Sequence, residues 1–548
     1  MFVPAIVRAV KGYRRADFVA DLGAGVTVGM IALPLAIGFG IASGVTPQQG
    51  LWTGIIASIA VALFGGSRFQ IAGPTGAFVP VLFSIVAIYG YNGLALATMM
   101  AGAMLVLIGT LRMGRLLKFI PYPVVAGFTS GIALIIFCGQ LNEFLGLGLK
   151  MPGHAPQQIA VLAHNIRLFN LRTLAIGALT LVVFYSWPRL TKRIPASIVA
   201  VASATAAAYF SGWPIATIGT RFGGIPAGLP DLHLPAVSLQ LMRDLMGPAF
   251  TIAALGAIES LLSAMVADGI TDTRHDPNQE LIGQGIANLL CPLAGGITAT
   301  GAIARTAANI RSGARTPMAA IIHAFVLLAA VLFAGTFVSY IPLAALSAIL
   351  LTVAVRMAEW HTFVELWRGP RADFAVLVAT FGLTVVFDLT VGVGAGLVMA
   401  MVLFLRQMEE VTHIRLITEE TEDHASGSHS IRGKELPPGV ILYRIEGPLF
   451  FAATEKLDAA LRGSGGKPGV VIFRMRNVPA MDASGLHAFE VAIEKLRRDG
   501  VEIFLTAVQP QPMKVMFESG LAERIGLDHF CADIDQALAA VKVTLQLA

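Results

Sequence analysis

The chain is 548 residues long, 55% apolar and only 13% charged, with a mean hydropathy of +0.73. That composition excludes an ordinary soluble domain and leaves room for many membrane crossings. The net charge of +5 is split: residues 1–408 carry 24 Lys and Arg against 14 Asp and Glu, whereas residues 409–548 carry 15 against 20.

A basic apolar body followed by an acidic polar tail indicates two domains in two solvents. The basic excess sits where membrane orientation rules put it and calls for no nucleic acid. Met1 to Arg15 is short and basic, and the apolar run after it continues into further spans, so no cleavable leader is expected. Cys138, Cys291 and Cys531 are scattered and form no metal or disulfide pattern. No phosphate-binding loop, hydrolase elbow or zinc motif occurs, which argues against an enzyme and against direct ATP drive.

In chain order, apolar stretches predict fourteen spans, at roughly 19–41, 46–65, 72–88, 92–111, 122–142, 172–187, 194–211, 246–268, 279–293, 300–312, 316–337, 340–356, 373–388 and 390–407. Those at 72–88, 279–293 and 300–312 are too short to cross alone. Interrupted helices are tolerated where their ends line a cavity inside the protein. With the N-terminus in the cytoplasm, eighteen Lys and Arg fall on cytoplasmic positions against five outside, the expected bias. The C-terminus is then cytoplasmic too, and the inner (plasma) membrane is the expected location.

Two short echoes share an offset. Gly73-Pro74-Thr75-Gly76-Ala77-Phe78 resembles Thr298-Ala299-Thr300-Gly301-Ala302-Ile303, and Phe119-Ile120-Pro121 resembles Tyr340-Ile341-Pro342. They divide the spans into repeats at about 15–211 and 245–408. Seven spans per repeat is odd, so the second must sit inverted.

The chemistry is expected at these echoes. Around 300 the apolar chain breaks into Gly and small hydroxyl residues followed by a lone arginine, as where a helix begins inside the protein with bare backbone N–H groups. Such a start carries the positive dipole end and attracts an anion, and Arg305 adds a permanent charge about one turn in. Gly73 to Ala77 would provide the opposing helix start, with Pro74 in its first turn; close packing through small residues is the alternative. Phe39 in the first span either walls the cavity or simply packs.

Glu259 and Arg305 are the two charges deep within predicted spans, and intramembrane charge is costly enough to suggest function. Glu259 is the candidate for proton coupling; a structural Glu259–Arg305 ion pair is the alternative. Ser263, four residues on and on the same helix face, either lines the cavity or bonds its own helix backbone.

Residues 409–437, with Glu419, Glu420, Glu422 and Asp423 among Ser, Gly and Pro, read as a linker. From 438 to 548, strands at Val440–Ile445, Val470–Phe473 and Val501–Leu505 alternate with helices at 454–462 and 485–498, a small α/β domain. Asp482 fits a helix N-cap, and Ser484 beside it could take phosphate.

Taken together, these features resemble the sulfate permease (SulP) family of anion transporters. The likeness covers nearly the whole chain and is most specific at Gly295 to Asn309 with Ser312 to Thr316, and at Gly73-Pro74-Thr75; Asp482-Ala483-Ser484-Gly485 resembles the STAS motif in which anti-sigma-factor antagonists carry their phosphorylated serine. The resemblance implies an α-helical membrane protein with a seven-plus-seven inverted repeat, two half-helices and a small α/β STAS domain, forming a homodimer. It places substrate-binding residues at Phe39, Thr75, Gly76, Ala77, Thr300, Gly301, Ala302, Ala304 and Arg305.

Members with a sodium site tend to carry Asp and Thr on the eighth span; Glu259 and Ser263 here point to the proton, with no other cofactor and no metal. Ala304 stands where human-type members often have serine. The run Ile297 to Arg305 most resembles bacterial members that move C4-dicarboxylates such as fumarate, succinate or aspartate, with sulfate or bicarbonate as the alternative. An elevator-type symporter is the resulting expectation; an anion channel, or a sensor signalling through a cytoplasmic partner of the STAS domain, is the rival class.

Overall fold

The structure, a computed structural model, describes residues 3–115, 120–191, 194–226, 228–230, 232–387, 389–417, 436–450, 453–462 and 468–547. The chain divides into two compact units, Met1–Ala400 and Met401–Ala548.

The first unit opens with a short helix α1 (Ala5–Val10), followed by α2 (Arg15–Ala42), α3 (Pro47–Phe64) and a two-residue strand β1 (Ala72–Gly73). Next come α4 (Val79–Thr110), α5 (Tyr122–Leu145), an amphipathic α6 (Ala155–Asn165), α7 (Leu171–Leu190) and α8 (Ala196–Ser211). Short helices α9 (Ile218–Phe222) and α10 (Leu239–Asp244) link to the second repeat. That repeat contains α11 (Met246–Thr271), α12 (Pro277–Leu293), strand β2 (Thr300–Gly301), α13 (Ile303–Arg311) and α14 (Met318–Phe333). It ends with α15 (Gly335–Ser339), α16 (Leu343–Met357), α17 (Trp360–Arg368), α18 (Arg371–Val386) and α19 (Leu389–Val411).

Among the described residues, eight helices are long and apolar enough to cross a membrane, and α8 and α14 are shorter apolar ones. α4 is two crossings in one: Gly90, at φ 66° and ψ −173°, breaks it, a conformation available to glycine at little cost. With α12, the half-helix α13 and α18, fourteen membrane segments result among the described residues, seven per repeat. The repeat is visible in local geometry. Pro121 before α5 (φ −66°, ψ 140°) and Pro342 before α16 (φ −68°, ψ 137°) are near-identical N-caps. Phe119, part of that echo, lies outside the described residues.

Packing sorts these helices into two groups. α2 and α3 pack on α14, α4 packs along α12 and α11, and α11 holds α13; separately, α5 packs on α16 and α18, and α7 on α8 and α16. Small residues permit the close crossings: a Cβ on Gly102 of α4 would fall 2.8 Å from the Gly285 carbonyl of α12, an approach suited to lipid-embedded helices.

Two expected helix starts are corrected. Residues 72–73 and 300–301 are paired strand, Ala72 opposite Gly301 and Gly73 opposite Thr300. The first half-helix therefore starts as a 3₁₀ turn at Gly76 and the second at Ile303. Pro74 precedes the turn; it does not sit in it. The backbone groups that a helix would use are engaged in the ladder.

The second unit holds a five-stranded sheet of β3 (His413–Ile417), β4 (Val440–Glu446), β5 (Val470–Asn477), β6 (Glu502–Thr506) and β7 (Phe530–Cys531), in that order. β3 is antiparallel to β4; the others run parallel. Helices α20 (Ala453–Arg462), α21 (Ala483–Arg498), α22 (Pro510–Glu518), α23 (Leu521–Ile525) and α24 (Ile534–Leu547) complete it. Apolar clusters lie on both faces, around Phe473 and Phe489 on one and around Phe504 and Val541 on the other, as parallel strands require. Part of the expected linker is thus structured, because His413–Ile417 pairs with β4. Glu419, Glu420, Glu422 and Asp423 lie outside the described residues.

Candidate functional site

The site is built on the crossing of β1 and β2. Because the pair is antiparallel, the helices that follow leave in opposite directions and both present their N-terminal, dipole-positive ends to the crossing. Neither start has a side-chain cap: Thr75 and Ala302 occupy the cap positions without bonding the first turn. Among the described residues the N–H groups of Gly76, Ala77 and Phe78, and of Ile303, Ala304 and Arg305, have no backbone partner. Two sets of unpaired donors at one crossing form an anion-binding arrangement.

Glycine is required at the crossing itself. Gly73 has φ +152°, and a Cβ there would fall 2.7 Å from Nη1 of Arg305; a Cβ on Gly301 would overlap the Gln70 amide. Gly76 is similarly confined, with Phe39 and Ile136 3.3 Å and Met357 3.1 Å from where its Cβ would be.

Arg305 is 2% exposed. Its Nη2 donates to the Pro74 carbonyl at 2.5 Å, which ties the second half-helix to the first, and its Nη1 has no partner among the described residues. Buried guanidinium N–H groups left unmatched are costly and are completed by an acceptor. Glu259, half-buried on α11, accepts from the Thr75 hydroxyl at 3.0 Å. No ion pair joins Glu259 to Arg305 among the described residues, so the structural pair considered from sequence is not formed: each charge has turned to a polar group of the first half-helix start.

The structure brings Phe39, Thr75, Gly76, Ala77, Glu259 and Arg305 to this crossing, with Phe39 and Ala77 almost fully buried. Ala304 is exposed, on the first turn of α13. Three expectations need correcting. The Thr300 hydroxyl is fully buried and shared with Ser260 Oγ at 2.7 Å and the Gly256 carbonyl, so it fastens β2 to α11 and has no lone group to offer substrate. The N–H groups of Gly301 and Ala302 are taken by Ser260 Oγ and the Ile71 carbonyl; the free donors begin one residue later, at Ile303. Ser263 neither lines the cavity nor bonds its own helix. Its hydroxyl donates to Thr306 Oγ1 at 3.1 Å, and that same oxygen accepts from the Ile71 N–H.

Sequence reasoning missed Gln70, Ser260, Thr306 and Asn309, which bind the crossing to its neighbours, and Ile136 and Met357, which close it from α5 and α16. Single polar or apolar residues in apolar helices carry no spacing signal. His323 on α14 is fully buried, and among the described residues neither of its ring nitrogens is bonded.

A cleft of about 750 Å³ opens at the C-terminal end of α2, opposite the N-terminus, and reaches Val79 and Ile136 beside the crossing; Glu143 and Arg221, 2.8 Å apart, bridge its rim. Ser484 is exposed in the first turn of α21, where the Asp482 carboxylate caps the helix by accepting from the Gly485 N–H at 2.7 Å.

Residues 18–380 match the Sulfate permease family, and residues 434–537 match the STAS domain. The chain is 41% identical to a Bacillus subtilis (strain 168) protein named "Putative sulfate transporter YvdB", over 95% of this chain and 97% of that one. It is 32% identical to the "Bicarbonate transporter BicA" of Picosynechococcus sp. (strain ATCC 27264 / PCC 7002 / PR-6), over 94% of each. The solved structure of murine Solute Carrier 26 family member A9, an anion transporter in the inward-facing state, superposes with a TM-score of 0.87 over 98% of this chain and 94% of that one. At 19% identity, that match is evidence of shared fold alone. By the extent of these matches and by the crossed half-helices that its membrane unit is built around, the chain belongs to the sulfate permease family.

Proposed function

We propose that this protein is a proton-coupled secondary active transporter of a small oxyanion, sulfate or bicarbonate, working by elevator-type alternating access. The observation that carries the reading is the pair of uncapped helix starts on either side of the β1–β2 ladder, with the unmatched Nη1 of Arg305 between them. A compact anion accepts from both sets of N–H groups and from Arg305 at once. Gly76, Ala77, Ala304 and Arg305 are the donors, and Phe39 is a wall. Glu259 carries the proton, coupled to the anion through the Thr75 hydroxyl. No sodium site is assigned.

Alternating access is supported by the two helix groups: α2, α3, α4 and α11 to α14 hold the crossing, whereas α5, α7, α8, α16 and α18 pack chiefly on one another. The named relatives favour sulfate or bicarbonate over the C4-dicarboxylate expected from the Ile297 to Arg305 run. One buried cation also suits a single anionic centre better than two carboxylates held apart. Fumarate, succinate or aspartate remains the second reading on that run alone. The same proposal takes the protein as a homodimer in the plasma (inner) membrane with both termini cytoplasmic. Ser484 is then available for phosphorylation and the STAS domain for a cytoplasmic partner.

The test is uptake of labelled sulfate, bicarbonate and fumarate into proteoliposomes, with and without an inward proton gradient. Saturable, gradient-driven accumulation of sulfate or bicarbonate that fumarate does not inhibit is the expected result. Fumarate accumulation would establish the second reading. Unitary currents without accumulation would turn the protein into a channel, and binding without flux would turn it into a sensor.

A further inference from the structure

We propose that the N-terminal face of the membrane unit carries a separate binding site for a phosphate group, formed by Arg8, Arg68 and Arg274. A cavity of about 230 Å³ lies where α1, the loop from α3 to β1, and the loop from α11 to α12 converge, and these arginines line it from the three segments. They are far apart in the chain, and α1 is fixed there by a bond from the Ala5 N–H to the Gly65 carbonyl at 2.9 Å.

The charges around the cavity do not cancel in place. Asp268 is occupied by the His275 backbone N–H at 3.0 Å, the His275 ring at 2.6 Å and the Thr273 hydroxyl at 3.2 Å. Asp276 caps α12 by accepting from the N–H groups of Asn278 and Gln279. Among the described residues no carboxylate and no carbonyl takes a side-chain N–H of Arg8, Arg68 or Arg274, and all three are exposed. Guanidinium forks are matched to phosphate oxygens in pairs. Three on one small concavity, with the neighbouring acids already engaged, select a phosphate over an uncharged group.

The cavity sits at the ends of membrane helices α3, α11 and α12, so either an anionic lipid headgroup or a soluble phosphate can supply the ligand. Occupancy has a mechanical route to the crossing. Arg68 precedes Phe69, whose carbonyl holds Asn309 of α13, and Ile71, whose N–H is held by Thr306. A phosphate on Arg68 therefore restrains the segment that enters β1.

The experiment uses the full chain in nanodiscs of phosphatidylcholine doped with phosphatidylglycerol or phosphatidic acid, with lipid retention counted by native mass spectrometry and inorganic phosphate added as competitor. Retention of anionic lipid that resists inorganic phosphate assigns the headgroup. Displacement by inorganic phosphate, with binding of phosphate itself, assigns the soluble source. Each of Arg8→Ala, Arg68→Ala and Arg274→Ala is expected to weaken binding about fivefold. Hydrogen exchange on the wild-type protein is the second readout and needs no variant: residues 3–10, 65–71 and 272–276 gain protection when the probe is added. No retention above phosphatidylcholine, or binding that none of the substitutions weakens and no protection in these segments, overturns the proposal.

Discussion

The helix starts at Ile303 and at Ala483 each follow a strand, β2 and β5, yet they do different work. At α21 the Asp482 carboxylate closes on the Gly485 N–H, so the helix satisfies its own first turn. At α13 the cap is Ala302, which has nothing to offer, and the first turn stays open beside a buried arginine. A helix end becomes a ligand site when its neighbours are used up and its own donors are not. Gln70, Ser260, Thr300 and Thr306 engage the groups flanking β2, and the donors left beside it among the described residues are the three N–H groups and Nη1 of Arg305.

Removing the charge should break this contrast most severely. Arg305→Ala leaves the two helix starts without their buried cation and removes the tie to Pro74, with an expected loss of anion uptake of about 30-fold or more. Arg305→Lys keeps the charge but loses the planar fork, and recovers little. Uptake by Arg305→Ala within twofold of wild type at matched reconstitution would mean that the open helix starts suffice.

Glu259→Gln keeps an acceptor for the Thr75 hydroxyl while removing the titratable proton. Proton-gradient stimulation should vanish while anion binding, read by calorimetry or by protection from unfolding, changes little. A variant with undiminished gradient stimulation would remove Glu259 from the coupling role.

A smaller effect is expected from Gly301→Ala. The new methyl overlaps the Gln70 amide, an overpacking cost of about 1–3 kcal/mol. It should appear as a lower unfolding temperature together with weaker anion binding, since β2 carries both. Unchanged stability would show that Gln70 gives way. The smallest effect belongs to the capped helix: Asp482→Ala should cost about 1 kcal/mol of local stability, seen as faster hydrogen exchange at the start of α21, with anion affinity unaltered. Altered affinity would mean that α21 is more than a structural end.

The membrane helices were legible because lipid imposes one rule, apolar side chains over a fixed length, and hydropathy reports it directly. Glu259 and Arg305 stood out for the complementary reason, because charges are rare within apolar spans, and Gly76 stood out through the echo it shares with Gly301. The β1–β2 ladder was not legible, since two-residue strands are too short to show alternation. Nor was the engagement of Thr300 or Ser263, because a hydroxyl's partner depends on which helix passes beside it. β3 was hidden by its place next to an acidic stretch, although His413–Ile417 alternates as a strand should.

The β1–β2 ladder also acts as a cross-tie. Backbone bonds between the repeats, reinforced by Arg305 on Pro74, prevent either helix start from shifting along its axis without the other. If the protein works as the proposed elevator, an anion seated between them would travel with its donors unchanged, and the cradle would not by itself hold cargo tightly on one side of the membrane and loosely on the other. Any difference in grip must come from groups that meet the cradle from outside, such as Ile136 and Met357, or from the protonation of Glu259. On that proposal selectivity and release would reside in separate parts of the molecule, and substitutions on α5 or α16 would retune release while leaving the choice of anion alone.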